Sequence, residues 1–458
     1  MMGLMNWARD FFIGRGKGGG DIPGNDWGVL SAAGQENRRL WWDMYVNHPP
    51  WEDCEVRPLG LPGAIGRELA RQALMEFRLT VSGSGRAEFL NRQMLAAEKN
   101  FLRALELGLC LGGVALKPYL ENRRLWVDVS ADNFVPTRFD GEGRAVGGVF
   151  RSAPVKVGKQ WFVRLEYHDF LPSGDGEPLY VIRNRAFYSG PDGMPGAAAE
   201  LEQVPEWAGL TPETVIQGLK GPLFAYFKPP EANSIDPDSQ LGASVYAGAA
   251  AELIRQADEQ WRLIRWEFQS GKRRIYVDGV DAGQFDDEIF VSGPFSSDGS
   301  FFSVFSPEFR DGPLYNGFQR ILQRIEFQVG LAYGTISDPQ CVEKTATEVL
   351  AAKHRQYVTE SAIQKAFQRT LEDLVQAMDA WCDLARLAPG GAYETKFSWG
   401  DGVLDDPEVR RLDKTLDAEL VEKGLMRKWE FRVKWFGESE AEAMAAVAEE
   451  TADTAAQL

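Results

Sequence analysis

Cysteine is scarce in this chain: four among 458 residues, Cys54, Cys110, Cys341 and Cys382, widely scattered and never as a C-x-x-C pair. That excludes a thiolate zinc site and a disulfide framework, and it fits assembly in a reducing cytoplasm. Long hydrophobic runs are missing too. No window approaches 18 uninterrupted apolar residues, so no membrane-spanning helix is expected. Residues 1–20 carry an acid early and lack an apolar region with a cleavage site, so no secretory signal is expected either. Bases are outnumbered, 50 Lys and Arg against 67 Asp and Glu, for a net charge of −17 and a pI near 4.9. A protein that grips duplex DNA through its phosphates needs the opposite balance. A phosphate loop is also lacking: in GRGKGGG at 14–20, Lys17 is followed by Gly18 rather than Ser or Thr, and no strand precedes it.

What is present is ample material for a core, 44% apolar and 12% aromatic residues, and a length that suggests two to four domains. Residues 1–40 read as glycine-rich and irregular, with 1–37 a flexible arm. Trp41, Trp42, Tyr45 and Trp51 then crowd around His48-Pro49-Pro50 as a core or subunit contact. Helical spacing runs from Gly66 to Gly112, broken by a turn at 82–85. The period becomes two over 107–150, with turns at Glu121-Asn122 and 140–143, and the strands continue through 159–170 and 177–190. Glu166 and His168 share one strand face there. With no third partner nearby in sequence, packing and surface hydrogen bonds are expected rather than acid–base work. Thr211-Pro212-Glu213 reads as a helix start, a cap followed by proline at N1.

From Leu241 to Gln269 a single amphipathic helix is predicted, its stripe including Trp261, Ile264 and Phe268, with Gly271 as its C′ glycine. Lys272, Arg273 and Arg274 form the one compact basic cluster and open a strand. Either they touch DNA phosphates or they neutralise acids of a neighbouring subunit. The stretch Leu314–Trp381 organises the rest. Phe318, Leu322, Ile325 and Val329 recur at steps of three and four, then Gly334-Thr335-Ile336-Ser337-Asp338-Pro339 breaks the pattern. A second helical pattern follows for roughly 40 residues, about 60 Å if straight. Nothing in the stretch looks catalytic: it holds one histidine, His354, and one cysteine, Cys341.

The string RILQRIEFQVGLAYGTISDPQCVEKTATEV, between one helix and a longer one, resembles the core of bacteriophage portal proteins, in particular the subfamily of tailed phages of Gram-positive bacteria. The words GLCLGGVALKPY, ADNFVP and RLEYH fall in that family's order as well, and the likeness covers residues from about 38 to 440. It implies an α+β, multidomain portal fold: wing over 38–240, first stem helix 241–271, a small α/β clip 272–312, second stem helix 313–332, tunnel loop 333–344, a long kinked wing helix with a strand over 345–400, and a helical crown over 401–458. It implies no enzyme activity and no cofactor or metal.

The implied role is a ring of twelve copies at one capsid vertex of a virion assembled in the host cytoplasm. Such a ring conducts double-stranded DNA during packaging and ejection. It docks the terminase large subunit and later the head-completion or tail adaptor protein, and it meets the major capsid and scaffold proteins, without a membrane. Gly334, Thr335, Ile336, Ser337, Asp338, Gln340 and Lys344 would form the loop facing the DNA channel, poorly fixed when DNA is absent. Trp261, Phe268, Phe318 and Ile325 would pack the stems of neighbouring subunits together. Twelve chains would carry about −200 in total, a wall that lets DNA slide rather than holding it. The portal of a gene-transfer agent or defective prophage is a variant of this reading. A packaging-associated nuclease or ATPase is the rival from another class.

Overall fold

The computed structural model of the chain describes residues 32–171, 177–271, 274–278, 290–293, 302–305, 308, 310–339, 346–400, 407–436, 438–440 and 442–447. Helix outweighs strand, 44% against 24%, and all strand pairings but one are antiparallel. The class is therefore α+β. The chain separates into two compact units, residues 1–399 and 400–458.

In the first unit, α1 (Ala32–Tyr45), α2 (Leu61–Ala73), α3 (Gly85–Ala97) and α4 (Phe101–Leu111) lead into the strands, with β1 (Arg78–Gly83) between α2 and α3. Helix α1 corrects the expectation of irregular backbone up to residue 40. Trp41 and Met44 are buried, and the Arg38 guanidinium donates to the carbonyls of Ala131 (2.7 Å) and Phe134 (2.9 Å). Tertiary packing supplies what local propensity does not. Residues 1–31 of the expected arm lie outside the described residues.

β2 (Val114–Glu121) and β3 (Arg124–Ser130) form a hairpin whose turn residues Asn122 and Arg123 both have positive φ, 51° and 59°, the two-residue geometry that matches strand twist. The largest sheet has the order β10-β8-β7-β5-β4: β4 (Phe134–Phe139), β5 (Ala145–Arg151), β7 (Gln160–Leu171), β8 (Leu179–Ser189) and β10 (Glu213–Gln217). The short β6 (Val155–Val157) and β9 (Pro195–Ala199) pair with β7 and β8 respectively. Strand β10 occupies the place where a helix start was expected. The edge of β8 captures the segment: Asn184 N–H donates to the Pro212 carbonyl at 2.9 Å, and Arg183 binds Glu213 at 2.6 Å. Pairing available in space overrides the capping signal. β11 (Ala225–Phe227) then adds to β2.

Next comes α5 (Ala249–Ser270), which starts eight residues later than the stripe predicted. The segment before it must pass close to the end of α4. A Cβ on Gly112 would lie 2.6 Å from the Gly242 carbonyl oxygen, and one on Gly242 would lie 2.5 Å from that of Gly112. Two backbones touch there, and only glycine at both positions permits it. At the other end Gly271 has φ −77°, so the left-handed C′ geometry expected of it is not used.

A three-stranded sheet, β12 (Arg274–Asp278), β13 (Phe290–Gly293) and β14 (Phe302–Phe305), lies in sequence between α5 and α6 (Asp311–Val329). After a turn comes α7 (Ala346–Leu384), 39 residues long, then β15 (Tyr393–Ser398), which closes back on β1. One core cluster runs through the unit, joining Ile65 and Leu90 of the early helices to Ile254, Ile325 and Phe367 of α5, α6 and α7. Arg86, 2% exposed, pins α3 to the end of α7: it bonds Asp379 at 2.8 Å, Asp383, and the carbonyl of Pro389 at 2.9 Å.

In the second unit, α8 (Pro407–Glu422) begins at its proline, the favoured N1 residue. Asp417 accepts from Lys434 Nζ (2.6 Å) and Trp435 Nε1 (2.8 Å) of α9 (Lys428–Phe436), and these two bonds hold its carboxyl below the usual range. Among the described residues, no helix is long and apolar enough to cross a membrane.

Candidate functional site: a helical hairpin and its clamped turn

Helices α5 and α6 pair along their apolar stripes. The rings of Trp261 and Phe318 meet at 5.5 Å between centroids, and Gln260 Nε2 donates to the Leu314 carbonyl at 3.1 Å. Ile325 is fully buried and Phe318 nearly so. Trp261, Phe318 and Ile325, expected to pack the stems of neighbouring subunits, lie on this seam within the chain. They hold the hairpin together within one chain, because two stripes facing each other satisfy both helices. Outside that seam, large apolar side chains remain on the surface. Trp266 of α5 is 53% exposed and Phe327 of α6 is 55% exposed, with Leu263, Phe268, Tyr315 and Val358 of α7 exposed as well.

Polar bonds anchor the middle and the C-terminal end of α5. Asp258, almost fully buried, accepts from Trp51 Nε1 (2.9 Å) and the Leu59 N–H (2.8 Å); burial pushes its carboxyl up. At the mouth of the sheet insert, Glu267 takes three bonds from Arg310, from its backbone N–H (3.1 Å), Nε (3.2 Å) and Nη2 (2.7 Å), which lower its pKa. Arg274 begins β12, while Lys272 and Arg273 lie outside the described residues.

Helix α6 ends at Gly330, φ 79°, with the Leu331 N–H reaching back to the Glu326 carbonyl at 2.9 Å, a Schellman closure. A Cβ at Gly330 would lie 2.4 Å from Thr359 Oγ1 of α7, so α6 and α7 touch there. The turn that follows folds around the Glu326 carboxylate, which is 0% exposed. Its Oε1 accepts from the N–H groups of Gly334 (3.1 Å), Ile336 (2.6 Å) and Ser337 (2.9 Å), and its Oε2 from the Ser337 hydroxyl (2.8 Å). Gln319 Oε1 accepts from the Asp338 N–H at 2.7 Å, and the Thr335 hydroxyl donates to the Ala332 carbonyl at 2.7 Å. Arg355 of α7 stacks over Phe327 (4.6 Å) and Tyr333 (5.3 Å).

The expectation of a poorly fixed loop is thereby corrected for residues 334–339. Ser337 is buried and its hydroxyl is engaged internally, so it does not offer that group to a ligand. Gln340 and Lys344 lie outside the described residues. Glu326 itself was passed over in the sequence, although a signal was there. It sits four residues after Leu322 and eight after Phe318, so its acid falls on the apolar stripe.

A second, largely enclosed glutamate lies in the large sheet, its side chain 16% exposed. Glu166 accepts from His168 Nε2 (2.7 Å), Lys117 Nζ (3.0 Å) and Arg164 Nη2 (3.0 Å). The Tyr180 hydroxyl accepts from the Leu223 N–H (3.1 Å) and donates to His168 Nδ1 (2.7 Å), which leaves the histidine neutral with its proton on Nε2. Burial lowers the His168 pKa. For Glu166 burial works the other way, but Lys117, His168 and Arg164 outweigh it and hold the carboxyl well below its usual range. The third partner missing from the local sequence thus comes from other strands. The carboxylate and both imidazole nitrogens are satisfied and the cluster is enclosed by Phe150 and Phe224, so it braces the sheet.

An open cleft of about 950 Å³ lies between the β4–β5 loop, residues 226–242 and α7. Arg144 on its wall binds Asp373 at 2.9 Å, and burial pushes that carboxyl up to about 6. Its charged lining residues are of both signs, so it selects no ligand charge. Among the described residues, no group of three or more His, Cys, Asp or Glu is placed to hold a metal ion. No family model matches the chain, and no curated protein matches it.

Proposed function

We propose that this chain is the portal subunit of a tailed phage or prophage, which forms a homo-oligomeric ring of twelve copies through which double-stranded DNA passes. The observation that carries this reading is one continuous arrangement. Two paired helices leave Trp266 and Phe327 exposed, a small sheet lies between them in sequence, and a tight turn leads to a 39-residue helix. A hairpin that has already buried its own seam and still exposes large aromatic side chains fits contact with further copies of itself. The turn's position beside α6 and α7 fits a wall element rather than a catalytic loop. In this reading the net charge of −17 per chain keeps DNA contacts weak and salt-sensitive. Terminase, the adaptor, and the capsid and scaffold proteins are the partners the reading implies, with the virion vertex as its place.

The test is the mass and shape of the purified protein. Light scattering should give about twelve times 51.1 kDa, and negative-stain images should show rings with a central hole. A monodisperse monomer at micromolar concentration, unchanged on adding scaffold or capsid protein, would sink the reading. Nanomolar duplex affinity at physiological salt would replace it with a dedicated DNA-binding function.

A further inference from the structure

Gln319 and Glu326 stand seven residues apart on the buried face of α6, two polar side chains in a stripe otherwise made of Phe318, Leu322, Ile325 and Val329. Buried polar atoms in such a stripe need partners, and a buried carboxylate needs several. Both find them in the same place, the backbone N–H groups of residues 334–338. No cation contributes to the bonds described for Glu326: its acceptor positions are filled by three amides and one hydroxyl. Successive N–H groups converging on one anion form a nest, and bonds to an ionised acceptor are stronger than neutral ones.

We propose that Glu326 is the positioning residue of the turn, an internal anion that makes residues 331–338 one rigid body with the end of α6. The surroundings support the same assignment. Gly330 lets α6 lie directly against Thr359, and Arg355 reaches from α7 across Phe327 and Tyr333 on either side of the helix end. The turn is therefore referenced to both helices, and its height along the hairpin follows from where residue 326 sits. The clamp rests on the proposed channel only for its use: there, it would set the level at which the segment beyond meets DNA.

Amide exchange on the purified full chain tests this directly. In the wild type, the amides of Gly334, Ile336 and Ser337 should be protected, despite lying in neither helix nor strand. Glu326→Leu removes the carboxylate acceptors, leaving only the Ser337 hydroxyl near the Gly334 N–H, and should speed exchange at Ile336 and Ser337 by at least about tenfold and at Gly334 by less, with the α5–α6 hairpin amides unchanged. Glu326→Gln keeps an oxygen where Oε1 stands and should restore most of the protection. Wild-type exchange at the rate of an open peptide overturns the proposal whatever the variants do, as does unchanged exchange in folded Glu326→Leu. The readout does not depend on assembly. A chain that stays monomeric with these amides protected sinks the channel reading and leaves the clamp standing.

Discussion

The turn after α6 and the sheet around His168 each enclose a glutamate, and they satisfy it in opposite ways. Glu326 is surrounded by neutral donors from backbone that has wrapped around it. Glu166 is surrounded by the cations Lys117 and Arg164 and by a neutral histidine, all on regular strands. In the sheet, charge compensates charge across a lattice that strand pairing already holds. In the turn there is no such lattice, and the carboxylate itself gives the backbone its shape. One anion braces existing structure; the other creates it.

That contrast can be broken by mutation, beginning with the largest expected effect. Glu166→Leu leaves the largely enclosed Lys117 and Arg164 without their counter-ion and should cost about 3 kcal/mol of global stability in urea titration. A loss under about 1 kcal/mol would mean that water already screens the cluster. Glu326→Leu should cost less, about 2 kcal/mol, because the freed amides reach water by local opening. The two losses should add in the double variant, since the clusters share no partner.

Acid sharpens the difference. The Glu166 carboxyl is held well below 4.5 when folded, so its contribution is present above that value and lost as pH falls below it. Asp373 behaves oppositely. Its folded pKa is raised to about 6 from 3.8, so stability falls as pH rises between those values and is flat above. Asp373→Asn should therefore gain on the wild type by about 2 kcal/mol between pH 4 and pH 6. Denaturation curves at four pH values would show it, and a constant difference would mean that Arg144 alone governs that carboxyl.

The smallest effect on stability is expected on the exposed face of the hairpin. Trp266→Asp should change subunit stability by less than about 0.5 kcal/mol while lowering the mass seen by light scattering, because no core contact is removed but the face that the proposed ring would use gains charge. A variant that keeps the full ring mass would move the subunit contact elsewhere on the hairpin.

Periodicity made much of the helical architecture legible. The stripe of α6 and the roughly 40-residue pattern of α7 follow from side chains repeating at steps of three and four, a signal carried within each helix. The hairpin turn at Asn122 was legible for the same reason: its chemistry is local. Helix α1 and strand β10 were misread because what decides them is distant, Arg38 on the carbonyls of Ala131 and Phe134, and Asn184 on that of Pro212. Trp261 and Phe318 show the limit within a correct stripe. Period tells that a face is buried, not against what, and only the folded hairpin decided that they face each other. Glu326 is the sharpest case. Composition and spacing placed an acid on an apolar face; the tertiary structure alone decided its fate, because its partners are amides that exist as a cluster only once the chain has turned.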